Sequence, residues 1–177
     1  MIVHNAASIG QIDIPLAQMQ DPNQFSQYWM LNMTSCFVLN NVFLDAFKDD
    51  VITRPVVVNI SSGLAFRGCS GLGMYCAGKA AREMFFQTLA QENPNVRVIS
   101  YSPGPVATDM MIEINQKSCF TERREWSKDV LESDDFPNPE NAFDVLVEAL
   151  EKNTFVSGSF VSLNRGTRLP SGEVVKN

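Results

Sequence analysis

The run Pro55-Val56-Val57-Val58-Asn59-Ile60 constrains the fold most. Its β-branched residues occupy both parities of a strand, so a strand built from them buries both faces. Such a strand belongs inside a parallel sheet covered by helices on each side. Three more segments have strand character: Ile2 to Asn5, Val96 to Tyr101 and Phe155 to Leu163. Helical patterns lie between them. Asp21-Pro22 reads as an N-cap followed by proline at the first helical position, opening a helix to about Phe47. A glycine-rich loop, Gly63 to Gly73, leads into a helix from about Met74 to Gln91, which Glu92-Asn93-Pro94-Asn95 ends. Asn138-Pro139 starts a last helix to about Lys152, with Phe143, Leu146, Val147 and Leu150 as its apolar face. Strands alternating with helices predict an α/β domain with right-handed crossovers and about four parallel strands. Residues 1–164 form that domain, and 165–177 read as a polar, frayed tail. The charged stretch from Asp109 to Asn138 has poor periodicity and fits a functional lid with short helices.

Composition excludes several functions. The 177 residues suffice for one modest domain, and 45% of them are hydrophobic, as in ordinary globular proteins. The net charge of −6, with no basic cluster beyond Arg123-Arg124, argues against nucleic acid as a partner. No apolar run reaches the roughly 18 residues that span a bilayer, and the start lacks the pattern of a signal peptide. Cys36, Cys69, Cys76 and Cys119 are scattered, with no C-x-x-C pair, and read as reduced thiols in a cytoplasmic protein. The single His4 cannot build a typical metal site, so no metal is expected.

The chemistry lies in Tyr75-x-x-x-Lys79 with Ser62 thirteen residues upstream. Positions i and i+4 share one face of a helix, so Lys79 sits one turn from Tyr75. A nearby ammonium favours the phenolate and would lower the phenol pKa from its ordinary value of about 10. A serine hydroxyl can share the hydrogen bonding to a substrate oxygen. The set makes a tuned proton donor at a carbonyl, as hydride transfer with nicotinamide requires. Taken alone, Tyr75 and Lys79 would more readily be surface residues; Ser62, Asn32 and Pro103-Gly104 in sequence with them favour the site. Ser61 is the alternative serine, and the thirteen-residue spacing favours Ser62. Asn32 shares a stripe with Trp29 and Cys36, which predicts burial.

Together with Asn5-Ala6-Ala7 after the first strand and Pro103-Gly104-Pro105-Val106-Ala107-Thr108-Asp109 after the third, these residues resemble the classical short-chain dehydrogenase/reductases. Within that family the chain most resembles the sepiapterin reductases, through Tyr28 to Ser35, Tyr75 to Val98 and Pro103 to Met110. The resemblance implies part of a Rossmann-type, doubly wound sheet and an NADP(H)-dependent reductase of a small carbonyl compound, with a pterin as one candidate. It implies Tyr75 as general acid, Ser62 polarising the carbonyl, Lys79 on the nicotinamide ribose and Asn32 in a water relay. Asn5, Tyr75, Lys79, Pro103, Gly104 and Thr108 become candidate cofactor contacts. Asn5 is as readily a backbone-bonding residue, and Thr108 as readily a helix cap. A homodimer through helices 22–47 and 74–91, and a mobile lid over 109–138, follow from the same resemblance.

Two departures weigh on this reading. The sepiapterin reductases carry an aspartate near the C-terminus that anchors the pterin, and Ser162 stands at that place here. Serine supplies no carboxylate to the ring's N–H donors, so a general carbonyl or diketone substrate is the alternative; Ser162 itself reads as an ordinary edge-strand residue. Second, no strand, glycine turn and helix precede Asn5 to receive a pyrophosphate. The resemblance makes the first strand here the fourth of the family's sheet. The chain is then either a fragment of a full reductase, which the intact tetrad favours, or a short form without cofactor that acts as an interaction partner.

Overall fold

A computed structural model describes residues 1–49, 54–163 and 166–175. Six strands form one sheet in the order β1 to β6. They are β1 (Ile2–His4), β2 (Val56–Ile60), β3 (Arg97–Ser102), β4 (Ser159–Ser162), β5 (Gly166–Arg168) and β6 (Val174–Val175). The first four are parallel neighbours, and β5 and β6 continue the sheet antiparallel. The expected count of about four therefore holds only for the parallel part. The residues read as a frayed tail instead fold back as a hairpin. Gly166 and Gly172 take positive φ of 79° and 89°, which glycine adopts without a Cβ penalty. The turn is closed by the Leu169 N–H donating to the Glu173 carbonyl at 2.8 Å. The proposed boundary at residue 164 lies outside the described residues.

Side-chain alternation along β2 and β3 divides the core. Val57 and Val98 face one layer, where they meet Cys36, Phe86 and Leu89. Val58, Ile60, Ile99 and Tyr101 face the other, where they meet Leu146. The first layer consists of α2 (Ser35–Asp45) and α3 (Gly73–Glu92); the second is α6 (Asp144–Lys152). The triple valine run is thus covered on both sides, as its pattern demands.

The helix expected from Pro22 to Phe47 is not continuous. It divides into α1 (Pro22–Trp29), a π-helical segment over Met30–Thr34, and α2. Asp21 caps α1 by accepting the Asn23 N–H at 2.9 Å, with proline at the first position. The Asn32 amide donates to the Tyr28 carbonyl at 3.0 Å, and the Ser35 hydroxyl donates to the Leu31 carbonyl at 2.6 Å. Side chains that bond the carbonyl four residues back favour such local bending. The break turns Trp29 partly outward, 37% exposed, while Asn32 is buried. At the other end, Asn138-Pro139 opens a turn and a short 3₁₀ segment, Asn141–Phe143, before α6 begins. Between β3 and that turn lie α4 (Asp109–Lys117) and α5 (Thr121–Glu132), packed on each other.

Candidate active site

Parallel strands leave the ends of their chains side by side. Ile60 is in register with Tyr101, and Ser102 with Ser162. Ser62, Ser102 and Ser162 therefore gather at the carboxyl edge of β2, β3 and β4, where open α/β sheets bind ligands. All three line a cavity of about 350 Å³. Tyr75, in the first turn of α3, lines it too, as do Gly63 and Gly104. Ile9, Leu72 and Ile114 make its apolar floor, and Met110, Met111, Trp126 and Phe136 make its wall on the side of α4 and α5.

Ser62 is extended, and its hydroxyl accepts the Leu64 N–H at 3.2 Å, starting a 3₁₀ turn over Gly63–Phe66. Lys79 follows Tyr75 by one helical turn and is only 5% exposed. Its ammonium donates to the Ile60 carbonyl at 2.7 Å and lies 5.4 Å from the Tyr75 ring centre. Burial, then the positive charge of Arg82, pulls the Lys79 pKa from 10.5 to about 7. Tyr75 moves the opposite way from the sequence expectation. Burial raises its pKa; Ser62 and, more weakly, Arg82 oppose that rise, and Lys79 is not among the causes. The expected lowering fails because desolvation of the phenolate outweighs the charges around it.

Asn32 does not line the cavity. Its side-chain oxygen accepts the Ser8 N–H at 2.9 Å while its amide holds the Tyr28 carbonyl, so it ties the π-helical segment to the loop after β1. Asn5 is exposed just beyond the end of β1, and Thr108 is exposed at the N-cap position of α4 without a capping bond from its side chain. Pro103 stands next to Gly104, whose φ of 80° turns the loop after β3 toward the cavity. At the nicotinamide end these residues fit a dinucleotide. The Lys79 ammonium has three N–H donors and gives one to Ile60, the Thr108 hydroxyl is accessible, and a Cβ at Gly104 would be strained.

Ser162, which the resemblance put at the pterin-anchor place, lines the cavity, and several other residues of the site escaped the sequence reading. Ser162 was expected on an edge strand, yet β4 lies between β3 and β5 and Ser162 is 3% exposed. Arg67, Cys69 and Arg123 line the cavity. Beneath α3 a polar ladder is buried. Arg82 donates to Asn59 Oδ1 at 3.0 Å and to the carbonyls of Ala6 and His4 at 3.2 and 2.6 Å. Asn59 donates to the Ser100 hydroxyl at 3.1 Å. Glu83 accepts from the Ser61 hydroxyl at 2.9 Å and from Gln87 at 3.3 Å, and burial raises its pKa. The signal for these residues was the i,i+4 spacing itself: Gly78, Arg82 and Phe86 form one stripe, and Tyr75, Lys79 and Glu83 the next.

Comparison with known proteins bears on the family and the fold. Sepiapterin reductase of Meriones unguiculatus is 37% identical over 161 residues, covering 91% of this chain and 62% of that one. Benzil reductase of Bacillus subtilis is 30% identical over 138 residues, covering 75% of this chain and 56% of that one. A short-chain dehydrogenase/reductase structure from Saccharomyces cerevisiae superposes with a TM-score of 0.77 at 26% identity, over 92% of this chain and 64% of that one. The chain spans about three fifths of the length of the curated relatives it matches. The profile of the short chain dehydrogenase family matches residues 1–118, a stretch that holds the strand-end serine, the Tyr75–Lys79 helix and the turn at Gly104, and the chain belongs to that family.

Proposed function

We propose that this chain carries the proton-donating half of an NADP(H)-dependent carbonyl reductase site. The observation that carries the reading is Ser62 and Tyr75 together on the wall of a partly open, mostly apolar cavity at the carboxyl edge of the sheet. The raised pKa of Tyr75 keeps the phenol protonated at neutral pH, which is the state a general acid needs. The Ser62 hydroxyl orients and polarises the carbonyl. A bound nicotinamide would supply the hydride. Lys79 and Tyr75 would hold its ribose, and Pro103, Gly104 and Thr108 its amide, with Asn5 beside them. Asn32 holds the loop at Ser8 in place behind the site, and α4 and α5 over 109–138 act as the lid. The substrate is a small carbonyl compound; the hydroxyl of Ser162, where a carboxylate would anchor a pterin, argues against a pterin. Free cysteines fit a cytoplasmic setting.

NADPH titration of the purified chain, followed by the fluorescence of Trp29 and Trp126, tests the cofactor. Saturable quenching supports the reading, and none at millimolar NADPH removes it for this chain. If the chain turns over a carbonyl, Tyr75→Phe should slow it ~100-fold or more. Activity that survives that change removes the proposed acid.

A second reading has its own observation. Val38, Leu39 and Val42 on α2 and Met84 on α3 are 55 to 64% exposed, next to the stacked rings of Phe37 and Phe85. The helices 22–47 and 74–91 would pair with a second copy through this face. Size-exclusion chromatography with light scattering checks it, and a monomer at high concentration rejects it.

A further inference from the structure

We propose that the cavity takes a carbonyl substrate that also bears a carboxylate, anchored by Arg123 with Arg67 as a second cation at the rim. The inference rests on the carbonyl reductase reading and names its substrate class.

The charge on the wall is of one sign. Among the described residues, Arg67 and Arg123 are the charged side chains lining the cavity, and no aspartate or glutamate lines it. Arg123 is held in an unusual way. Its side chain is 26% exposed, and its Nε is buried without a hydrogen-bond acceptor. Its Nη1 donates to the Cys69 sulfur at 3.3 Å, and a thiol is a weak acceptor. The Trp126 ring lies 5.6 Å from the guanidinium carbon, a cation–π contact. The nearby carboxylate oxygen, from Glu122, is 3.8 Å from Nε, too far for a hydrogen bond, and that side chain is 62% exposed and outside the cavity wall. A guanidinium keeps its charge and presents five N–H donors in a fork that matches a carboxylate. Here the fold buries Nε without an acceptor, gives Nη1 a sulfur and the guanidinium an aromatic face, and leaves the Glu122 carboxylate beyond hydrogen-bond reach. A ligand carboxylate would satisfy the guanidinium with charge-assisted bonds.

The rest of the cavity completes the specification. Ser62 and Tyr75 take the carbonyl oxygen, and the floor and lid side are apolar. A ligand rich in N–H donors, such as a pterin ring, would meet guanidinium donors and no carboxylate acceptor. A neutral diketone would offer Arg123 a carbonyl acceptor but no opposite charge. A 2-oxo acid with an aryl or alkyl body suits all three regions, and about 350 Å³ lies within the ordinary range for small-molecule pockets.

The test is calorimetric binding to the whole chain of phenylglyoxylate and of its neutral methyl ester, without cofactor. The acid should bind at least ~10-fold more tightly at low salt, with the gap shrinking as salt rises. Arg123→Gln should erase the preference while leaving the ester's affinity within about twofold, Arg123→Lys should keep part of it, and Arg67→Gln should reduce it. Equal binding of acid and ester, no binding of either, or a preference that survives Arg123→Gln would overturn the proposal. A purely structural arginine, docking α5 on the loop at Cys69, would change both ligands alike. Reduction with NADPH is read separately. Acid binding without turnover leaves the anion site standing and removes the catalytic reading; benzil turnover without acid preference does the reverse.

Discussion

Lys79 is the group whose removal should make this fold's stability less dependent on pH. In the folded chain its ammonium is buried against the Ile60 carbonyl and its pKa falls from 10.5 to about 7. Between those two values the unfolded chain holds a proton that the folded chain has released. Stability therefore rises with pH across that window, and below about pH 7 the folded state carries the full cost of a buried cation. Linkage with these two pKa values gives a gain of ~4 kcal/mol between pH 6 and pH 10. Lys79→Met removes the titration and the donor to Ile60 together. Losing the donor costs ~1–3 kcal/mol at every pH, while losing the buried cation offsets that cost only at low pH. The variant should exceed the wild type by ~2–4 kcal/mol at pH 6 and fall behind it by no more than ~2 kcal/mol at pH 10. Urea unfolding at pH 6, 7, 8, 9 and 10, followed by tryptophan fluorescence, measures the difference, in which other titrating groups cancel. A difference that stays flat from pH 7 to pH 10 would refute the burial of a titrating Lys79.

Three further outcomes are expected of the same unfolding assay. Arg82→Met strips donors from Asn59 and from the carbonyls of His4 and Ala6 and should destabilise by ~3 kcal/mol or more, a loss below about 1 kcal/mol contradicting the buried ladder. Gly78→Ala would drive a Cβ into the hydroxyl of the buried Tyr28 and should cost ~1–3 kcal/mol, whereas Gly68→Ala meets open space and should be neutral, so equal effects at the two sites would reject the packing. Asn32→Ala frees the Ser8 N–H and should cost ~1–2 kcal/mol and speed amide exchange at Ser8, with unchanged exchange there as the contrary result.

What the sequence disclosed followed periodicity and spacing. The triple valine of β2 demanded cover on two sides, and the i,i+4 step from Tyr75 to Lys79 put both on the inward part of α3. The break in the first helix was hidden because Asn32 and Ser35 look like ordinary helix residues until their side chains bond carbonyls one turn back. The β5–β6 hairpin was hidden because its strands are only three and two residues long, and short polar strands carry no alternation to read. Of the cavity lining, Ser62 and Tyr75 were legible from spacing and Gly104 from the family resemblance. Ser102 and Arg123 were not, because strand register and the fold-over of α5 bring them together from far along the chain, and Ser162 was placed by resemblance but misjudged as an edge-strand residue. The sign of the Tyr75 shift was misread for a related reason: sequence gives the charged neighbour but not the depth of burial.

The polar ladder beneath α3 explains how a helix of 20 residues can be aimed accurately at a sheet edge. Apolar packing alone, Phe86 and Leu89 against Val57 and Val98, would tolerate small rotations of α3 about its axis. Arg82 and Glu83 do not, because each must meet fixed partners. Arg82 finds Asn59 on β2 and two carbonyls at the end of β1, and Glu83 finds Ser61 just past β2. These bonds are directional and buried, so a rotation that broke them would strand charged groups away from water. Tyr75 stands two turns back from Glu83 on the same stripe, and Ser62 follows Ser61 in the chain. The contacts that fix Glu83 on Ser61 therefore also set the Tyr75 hydroxyl against Ser62. A loosened ladder should first widen that pair, and would do so before the core itself gives way.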